Sequence, residues 1–295
     1  MKDFLESVLR GIGTGSVYAL LGLGFVIIYK ATRVISFAQP AFMLAGAVLT
    51  TYLVGPLGFF LGLAAAAVLT GGLALGVERL AVRPMIGRPV FTVAIITLGI
   101  DIVVRVVLSG FIGVDVRQVG DPWGLDQVSL AGVLVQERHL VMFATTAVVV
   151  AVLFAFFKYS RLGLAMRAAS FDQETALAQG VSVGTVFALS WAMAGGLAAI
   201  AGTFVATGAG VDDNLWIIGL KALPAIILGG LDSLGGAVVG GLVVGLVESL
   251  VATYQADLAP WLGQNFAVVS PYVVMLLILL VRPYGLFGTR EVERV

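Results

Sequence analysis

The chain has 295 residues, of which 60% are hydrophobic and only 12% charged, with a mean hydropathy of +1.07, well outside the range of a soluble domain with about a quarter of its residues charged. Net charge is zero, which gives no case for nucleic acid or for a polybasic lipid-binding surface. No cysteine and a single histidine, His139, exclude disulfides and iron-sulfur clusters and starve the usual zinc sites of ligands.

Nine apolar segments are predicted, at 11–29, 34–54, 57–77, 90–109, 140–157, 184–207, 215–231, 235–254 and 261–281. Most have about the 20 residues that a helix needs to cross the bilayer core. Alternating strand patterns of the barrel type are absent, so the expected fold is an all-α polytopic membrane protein, residues 1–295 forming one transmembrane domain. The first apolar run is expected to direct insertion by itself. The seventh segment is short and contains Lys221 and Pro224, which predicts a broken or re-entrant element and leaves eight or nine crossings.

Charge predicts the orientation. As the chain winds back and forth, one side collects Lys30, Arg33, Arg79, Arg83, Arg88, Lys158, Arg161, Arg167, Arg282, Arg290 and Arg294; the other collects Asp115, Asp121, Asp126, Glu137, Asp212, Asp213 and Asp257. The positive-inside rule then puts the C-terminus in the cytoplasm and the N-terminus outside. On that topology 110–139 is an extracytoplasmic loop, with Trp123 suited to a headgroup boundary, and it either meets a partner or merely joins two helices.

The segment 158–183 is the longest soluble-looking stretch between two apolar runs and falls on the cytoplasmic side. Its spacing predicts a short amphipathic helix, with Leu164, Ala168, Phe171 and Thr175 near one face and Arg167, Ser170 and Glu174 near another. Periodicity alone favours an ordinary connecting loop.

Glycine, at 38 residues, clusters inside apolar runs. Gly11 and Gly15, Gly236 and Gly240, and Gly241 and Gly245 make the small-xxx-small spacings that let helix backbones approach, and packing within the chain is the expected use of them. No nucleotide-binding, nucleophile-elbow, zinc-protease or dithiol motif occurs, so ATP hydrolysis or bond-breaking chemistry is not expected of this chain. Three charged groups fall inside apolar segments: Asp101 and Arg105, placed to pair at i, i+4, and Glu248, which must face a partner or a wet cavity, with Lys221 the candidate.

Four stretches, in order, carry a resemblance over nearly the whole length. They are GTGSVYALLGLGFVIIY (13–29), ISFAQPAFMLAGA (35–47), GLKALPAIILGGLDSLGGAVVGGLVVGLVESL (219–250) and RPYGLFG (282–288). The sequence resembles the LivH type of permease subunit from branched-chain amino-acid ABC importers. RAASFDQETALAQG (167–180) resembles the family's form of the cytoplasmic loop that docks a coupling helix onto an ATPase, matched at Arg167, Ala168, Asp172, Ala178 and Gly180, with Gly163 before the turn.

The resemblance implies an inner-membrane permease, bacterial or archaeal, paired with a homologous second permease, two cytoplasmic ATPases that use ATP and Mg²⁺, and an extracytoplasmic substrate-binding protein. It implies a branched-chain or related small neutral amino acid as cargo; permeases for urea and short amides are similar. Ser36, Gln39 and Pro40 stand where the family has Asn, His and Gly, which bears on specificity if that signature touches substrate. Ser36, Gln39 and Glu248 are the expected lining of the translocation path. The alternative from another class is a stand-alone ion-coupled secondary transporter, for which Glu248 and the Pro224 segment are the available features.

Overall fold

With no water to take up amides and carbonyls, an apolar chain satisfies its backbone within helices, and a computed structural model of the chain obeys that constraint. It describes residues 2–85, 88–113, 116–124, 126–130, 133–263 and 265–289. Asp115, Arg290 and Arg294 lie outside the described residues. The chain runs through α1 (Lys2–Thr32), α2 (Gln39–Leu57), α3 (Phe59–Val77) with a π-helical turn at Glu78–Val82, α4 (Val90–Ile112), strands β1 (Gln127–Leu130) and β2 (Val133–Gln136), and α5 (Glu137–Tyr159). Two short helices follow, α6 (Arg161–Phe171) and α7 (Gln173–Ala178), then α8 (Val183–Ala209), α9 (Trp216–Leu220), α10 (Ala222–Gly229), α11 (Leu234–Leu258) and α12 (Phe266–Val281).

Among the described residues, seven helices are long and apolar enough to cross a membrane; the stretches Trp216–Gly229 and Phe266–Val281 are apolar but shorter. The predicted seventh segment is indeed interrupted, with α9 and α10 meeting at Lys221. Pro224 falls in the first turn of α10, where its missing N–H has no intrahelical acceptor to lose.

The hairpin β1–β2 was not foreseen. It pairs antiparallel, with Gln127 opposite Gln136, inside the predicted loop 110–139 and leads straight into α5. Val133 and Val135 are buried and Leu134 is exposed, a true alternation, but four residues are too few to stand out in a sequence scan.

The chain divides into two compact units, one formed by Met1–Val26, Trp123–Thr146 and Lys221–Val295, the other by Ile27–Pro122 and Ala147–Leu220. In the first unit, glycines bring α1 onto α11. A side chain at Gly245 would collide with the backbone of Gly15, one at Gly241 with Ala19, and one at Gly11 with Leu246. Gly236 and Gly240 do the same for α10 against α11, facing Gly229 and Ala225. The predicted small-residue spacings therefore serve packing within the chain, as direct backbone contact requires.

The second unit is organised on α2, α3 and α8. Gly46 admits Ala199, and Gly202 admits the Met43 carbonyl. The buried hydroxyls of Thr50 and Thr203 join across the interface at 2.8 Å, and Phe42 meets Trp191 edge to face with ring centroids 6.1 Å apart, a geometry that adds to area burial. By contrast α4 and α5 turn bulky apolar residues outward, among them Val106, Val148 and Val152, which costs nothing against lipid tails as apolar as leucine.

Candidate functional site

The segment 158–183 folds as two helices, not one. Ser160 opens α6, its side chain accepting from the Gly163 amide at 2.8 Å, and Gly163 lies so close to Phe156 and Phe157 that a Cβ would overlap them. Asp172 adopts an extended backbone (φ −152°) that ends α6 and caps α7. Its carboxylate accepts from the amides of Glu174 (2.9 Å) and Thr175 (3.0 Å) and from the Thr175 hydroxyl (2.6 Å), meeting the orphan donors of the new helix. The hydroxyl and amide of Thr175, with the Glu174 amide, hold the Asp172 carboxyl below its ordinary value.

Gly180 closes α7 with φ +82°. Its amide donates to the Leu177 carbonyl at 3.0 Å and the next amide, Val181, reaches back to Ala176 at 3.0 Å, the Schellman arrangement that favours glycine.

The predicted single amphipathic helix is corrected. Gly163, Met166, Ala169 and Ala176 are buried, whereas Leu164, Phe171 and Leu177 are exposed, Phe171 at 89%. The break at Asp172 puts Thr175 on a separate helix, so the single-helix stripe never forms. Of the predicted coupling residues, Arg167, Ala168, Asp172, Ala178 and Gly180 are exposed and Gly163 is buried at the turn. The result is a polar elbow that also carries exposed apolar side chains.

Within the first unit, Glu248 meets Lys221. The ammonium donates to Oε1 at 2.5 Å and the Tyr18 hydroxyl donates to Oε2 at 2.6 Å. The Lys221 and Glu248 side chains are 13% and 17% exposed and Tyr18 is buried. A carboxylate that would be costly in an apolar span is thus doubly bonded and charge-paired. The lysine reaches it because the α9–α10 break places Lys221 at the head of α10.

Within the second unit, Ser36 and Gln39 lie on the turn into α2, both fully buried. The Ser36 hydroxyl accepts from the Ala38 amide at 3.4 Å, and the neighbouring Phe37 amide donates to Thr97 on α4 at 3.0 Å. Neither amide atom of Gln39 has a hydrogen-bond partner. Asp101 pairs with Arg105 as predicted, Oδ2 accepting from Nε at 2.8 Å, and the guanidinium lies 3.9 Å from the centroid of Trp216.

Several polar residues that hold this architecture escaped sequence reasoning. Glu78, fully buried, accepts a two-pronged bond from Arg83 (3.0 Å each), and the same guanidinium donates to the Gly184 carbonyl at 2.8 Å, fastening the start of α8 to the π-helical turn. Gln173 donates to the Ala31 carbonyl, and Arg33 to the Ser170 carbonyl, both at 2.8 Å. The bonds to the Gly184, Ala31 and Ser170 carbonyls each span residues 100 or more apart in sequence, so no local spacing announces them. No cluster of three metal-ligating side chains occurs among the described residues.

Comparison with known proteins meets this architecture with a family. Residues 7–281 match the family described as branched-chain amino acid transport system / permease component. The LivH high-affinity branched-chain amino acid transport system permease protein of Escherichia coli (strain K12) is 28% identical over 310 residues, covering 99% of this chain and 98% of the relative. BraD of Pseudomonas aeruginosa is 29% identical over 312 residues, covering 99% and 98%, and a probable LivH of Methanocaldococcus jannaschii 29% over 302 residues, covering 98% and 94%. Among solved structures, PsaBC from Streptococcus pneumoniae in complex with Fab aligns with a TM-score of 0.51 over 95% of this chain and 92% of that one, at 17% identity, a likeness of fold. The seven long apolar helices and the match over 7–281 agree: the chain is a multi-pass membrane protein that belongs to the permease family of branched-chain amino acid transport systems.

Proposed function

We propose that this chain is the membrane-spanning subunit of an ATP-driven importer for branched-chain or related small neutral amino acids. The family match over residues 7–281 carries the reading, and the branched-chain amino acid transport named for the LivH and BraD relatives supplies its cargo. In this reading the chain pairs with a homologous second permease, receives substrate from an extracytoplasmic binding protein and is driven by two cytoplasmic ATPases that use ATP and Mg²⁺. The protein resides in the cytoplasmic membrane with its C-terminus inside and N-terminus outside; α9–α10 and α12 bring the crossings to eight or nine.

The elbow α6–α7 is the part suited to receive force. It is exposed, its two helices are stiffened by the Asp172 cap and the Gly180 closure, and the exposed side chains of Leu164, Phe171 and Leu177 offer hydrophobic anchors to an ATPase cleft. Arg167, Ala168, Asp172, Ala178 and Gly180 form the docking segment, and Gly163 sets its approach. ATP-driven closure of the ATPases would move the elbow and bias the bundle between outward and inward openings. Ser36, Gln39 and Glu248 supply transient polar contacts to a zwitterion whose aliphatic side chain needs only apolar walls, since equal tight binding in both states would prevent release.

Reconstitution tests the reading. Uptake of L-leucine into proteoliposomes that needs the partner subunits, ATP and the binding protein together is the expected result. Gradient-driven uptake by this chain alone would overturn it in favour of a secondary transporter.

A further inference from the structure

Two carbonyls that a helix end leaves without an intrahelical partner are met reciprocally in the second unit. The Ala31 carbonyl, in the last turn of α1, accepts from the Gln173 side chain at the start of α7, at 2.8 Å. The Ser170 carbonyl, in the last turn of α6, accepts from the Arg33 guanidinium, at 2.8 Å. Each side of the clasp therefore donates to the other, and the arginine adds a cation at a helix C-terminus, where the dipole favours it.

Arg33 also has φ +57°, the only positive φ outside glycine among the described residues. A β-branched or bulky residue rarely adopts that conformation, and a mere connector would use glycine or asparagine there. From this residue the chain passes through Ser36, is pinned to α4 by the bond from Phe37 to Thr97, and enters α2 at Gln39, whose amide has no partner to hold its orientation.

We propose that Arg33 and Gln173 are positioning residues that carry movement of the α6–α7 elbow into the α1–α2 turn and so re-aim Gln39. The inference rests on the transport reading above. Elbow and turn travel as one piece, and the three residues between Arg33 and Phe37 convert that travel into a rotation at the mouth of α2, because the Thr97 contact acts as the fulcrum.

The test uses the complete transporter in proteoliposomes, with ATP turnover and L-leucine uptake measured together. Gln173→Ala removes one half of the clasp. Arg33→Gly removes the other while accepting the positive φ without strain. Each is expected to continue hydrolysing ATP but to move about three- to tenfold less leucine per ATP, the scale of one lost hydrogen bond, and Arg33→Lys is expected to recover most of it. Because the chain has no cysteine, an Arg33→Cys/Ser170→Cys pair can be joined by a short bifunctional maleimide, and the joined protein is expected to keep coupled uptake. Unchanged leucine per ATP in both single variants, or arrest of transport by the cross-link, would overturn the inference. Should a single variant fail to assemble, the cross-linked protein alone decides. Wild-type protein that hydrolyses ATP yet moves no branched-chain amino acid would instead sink the transport reading.

Discussion

Removing Lys221 should hurt more than removing both charges. In Lys221→Met the Glu248 carboxylate keeps the Tyr18 hydroxyl at 2.6 Å but loses its ammonium, in a pocket where both charged side chains are less than a fifth exposed. Stranding one partner of a buried pair typically costs about 3–5 kcal/mol, whereas replacing both by apolar groups is often close to neutral. Tyr18→Phe removes one bond to a charged acceptor, worth about 1.5–3 kcal/mol. The expected order of melting temperature in detergent is therefore wild type at the top, Tyr18→Phe and Lys221→Met/Glu248→Leu next, since the double variant leaves the buried Tyr18 hydroxyl without its acceptor, and Lys221→Met lowest. Uptake then separates architecture from transport. If the double variant is stable but moves no leucine, Glu248 acts in the path; if it moves leucine normally, the triad only holds α1, α10 and α11 together. A Lys221→Met protein that melts with wild type would refute the energetic argument, since it would mean that the carboxylate reaches water without its lysine.

Other substitutions read other parts of the fold. Gly245→Val drives side-chain atoms into the Gly15 backbone and should cost about 1–3 kcal/mol or more, seen as loss of folded protein after extraction. Gly99→Ala, where nothing lies within 4 Å of the added methyl, should raise stability by about 0.5–1 kcal/mol. Gly180→Pro cannot adopt φ +82° and removes the amide that bonds Leu177. It should spare insertion but uncouple ATP turnover from uptake, and normal uptake would count against the docking role. The cap on α7 has a pH signature: because Thr175 and Glu174 depress the Asp172 carboxyl, its contribution is complete above the ordinary carboxylate value and fades only as pH falls through the lowered one. Leucine moved per ATP should accordingly be the same at pH 5 as at pH 7 in wild type, and a fall between those values that Asp172→Asn abolishes would contradict the cap.

What sequence could deliver followed from periods and pairs within reach of one another. Long apolar runs gave the helices, small-xxx-small spacing gave close packing within the chain but not which helices meet, and an i, i+4 offset gave Asp101 with Arg105. Lys221 and Pro224 in one short run gave the interruption between α9 and α10. The elbow defeated the periodicity argument because Asp172 both ends one helix and starts the next, a double role that composition does not mark. Thr175 was placed on one face with Phe171 for that reason and lies on a separate helix instead. The tie from Arg83 to Glu78 was within reach of local inspection, five residues apart, but only the structure shows the carboxylate fully covered and the same guanidinium on Gly184. The Gln173 and Arg33 bonds depended wholly on tertiary approach.

The interruption at Lys221 bears on how the chain reaches its place during synthesis. A lysine or an aspartate near the middle of a lone helix adds about 2.5–3.5 kcal/mol to its transfer from the translocon into lipid, and a glutamate in α11 is comparably unwelcome alone. The two groups that neutralise one another are 27 residues apart, close enough for α10 and α11 to leave the translocon as a hairpin with the pair already made. In that hairpin the later helix would shield the charge of the earlier one, and pairing would set when the two enter lipid.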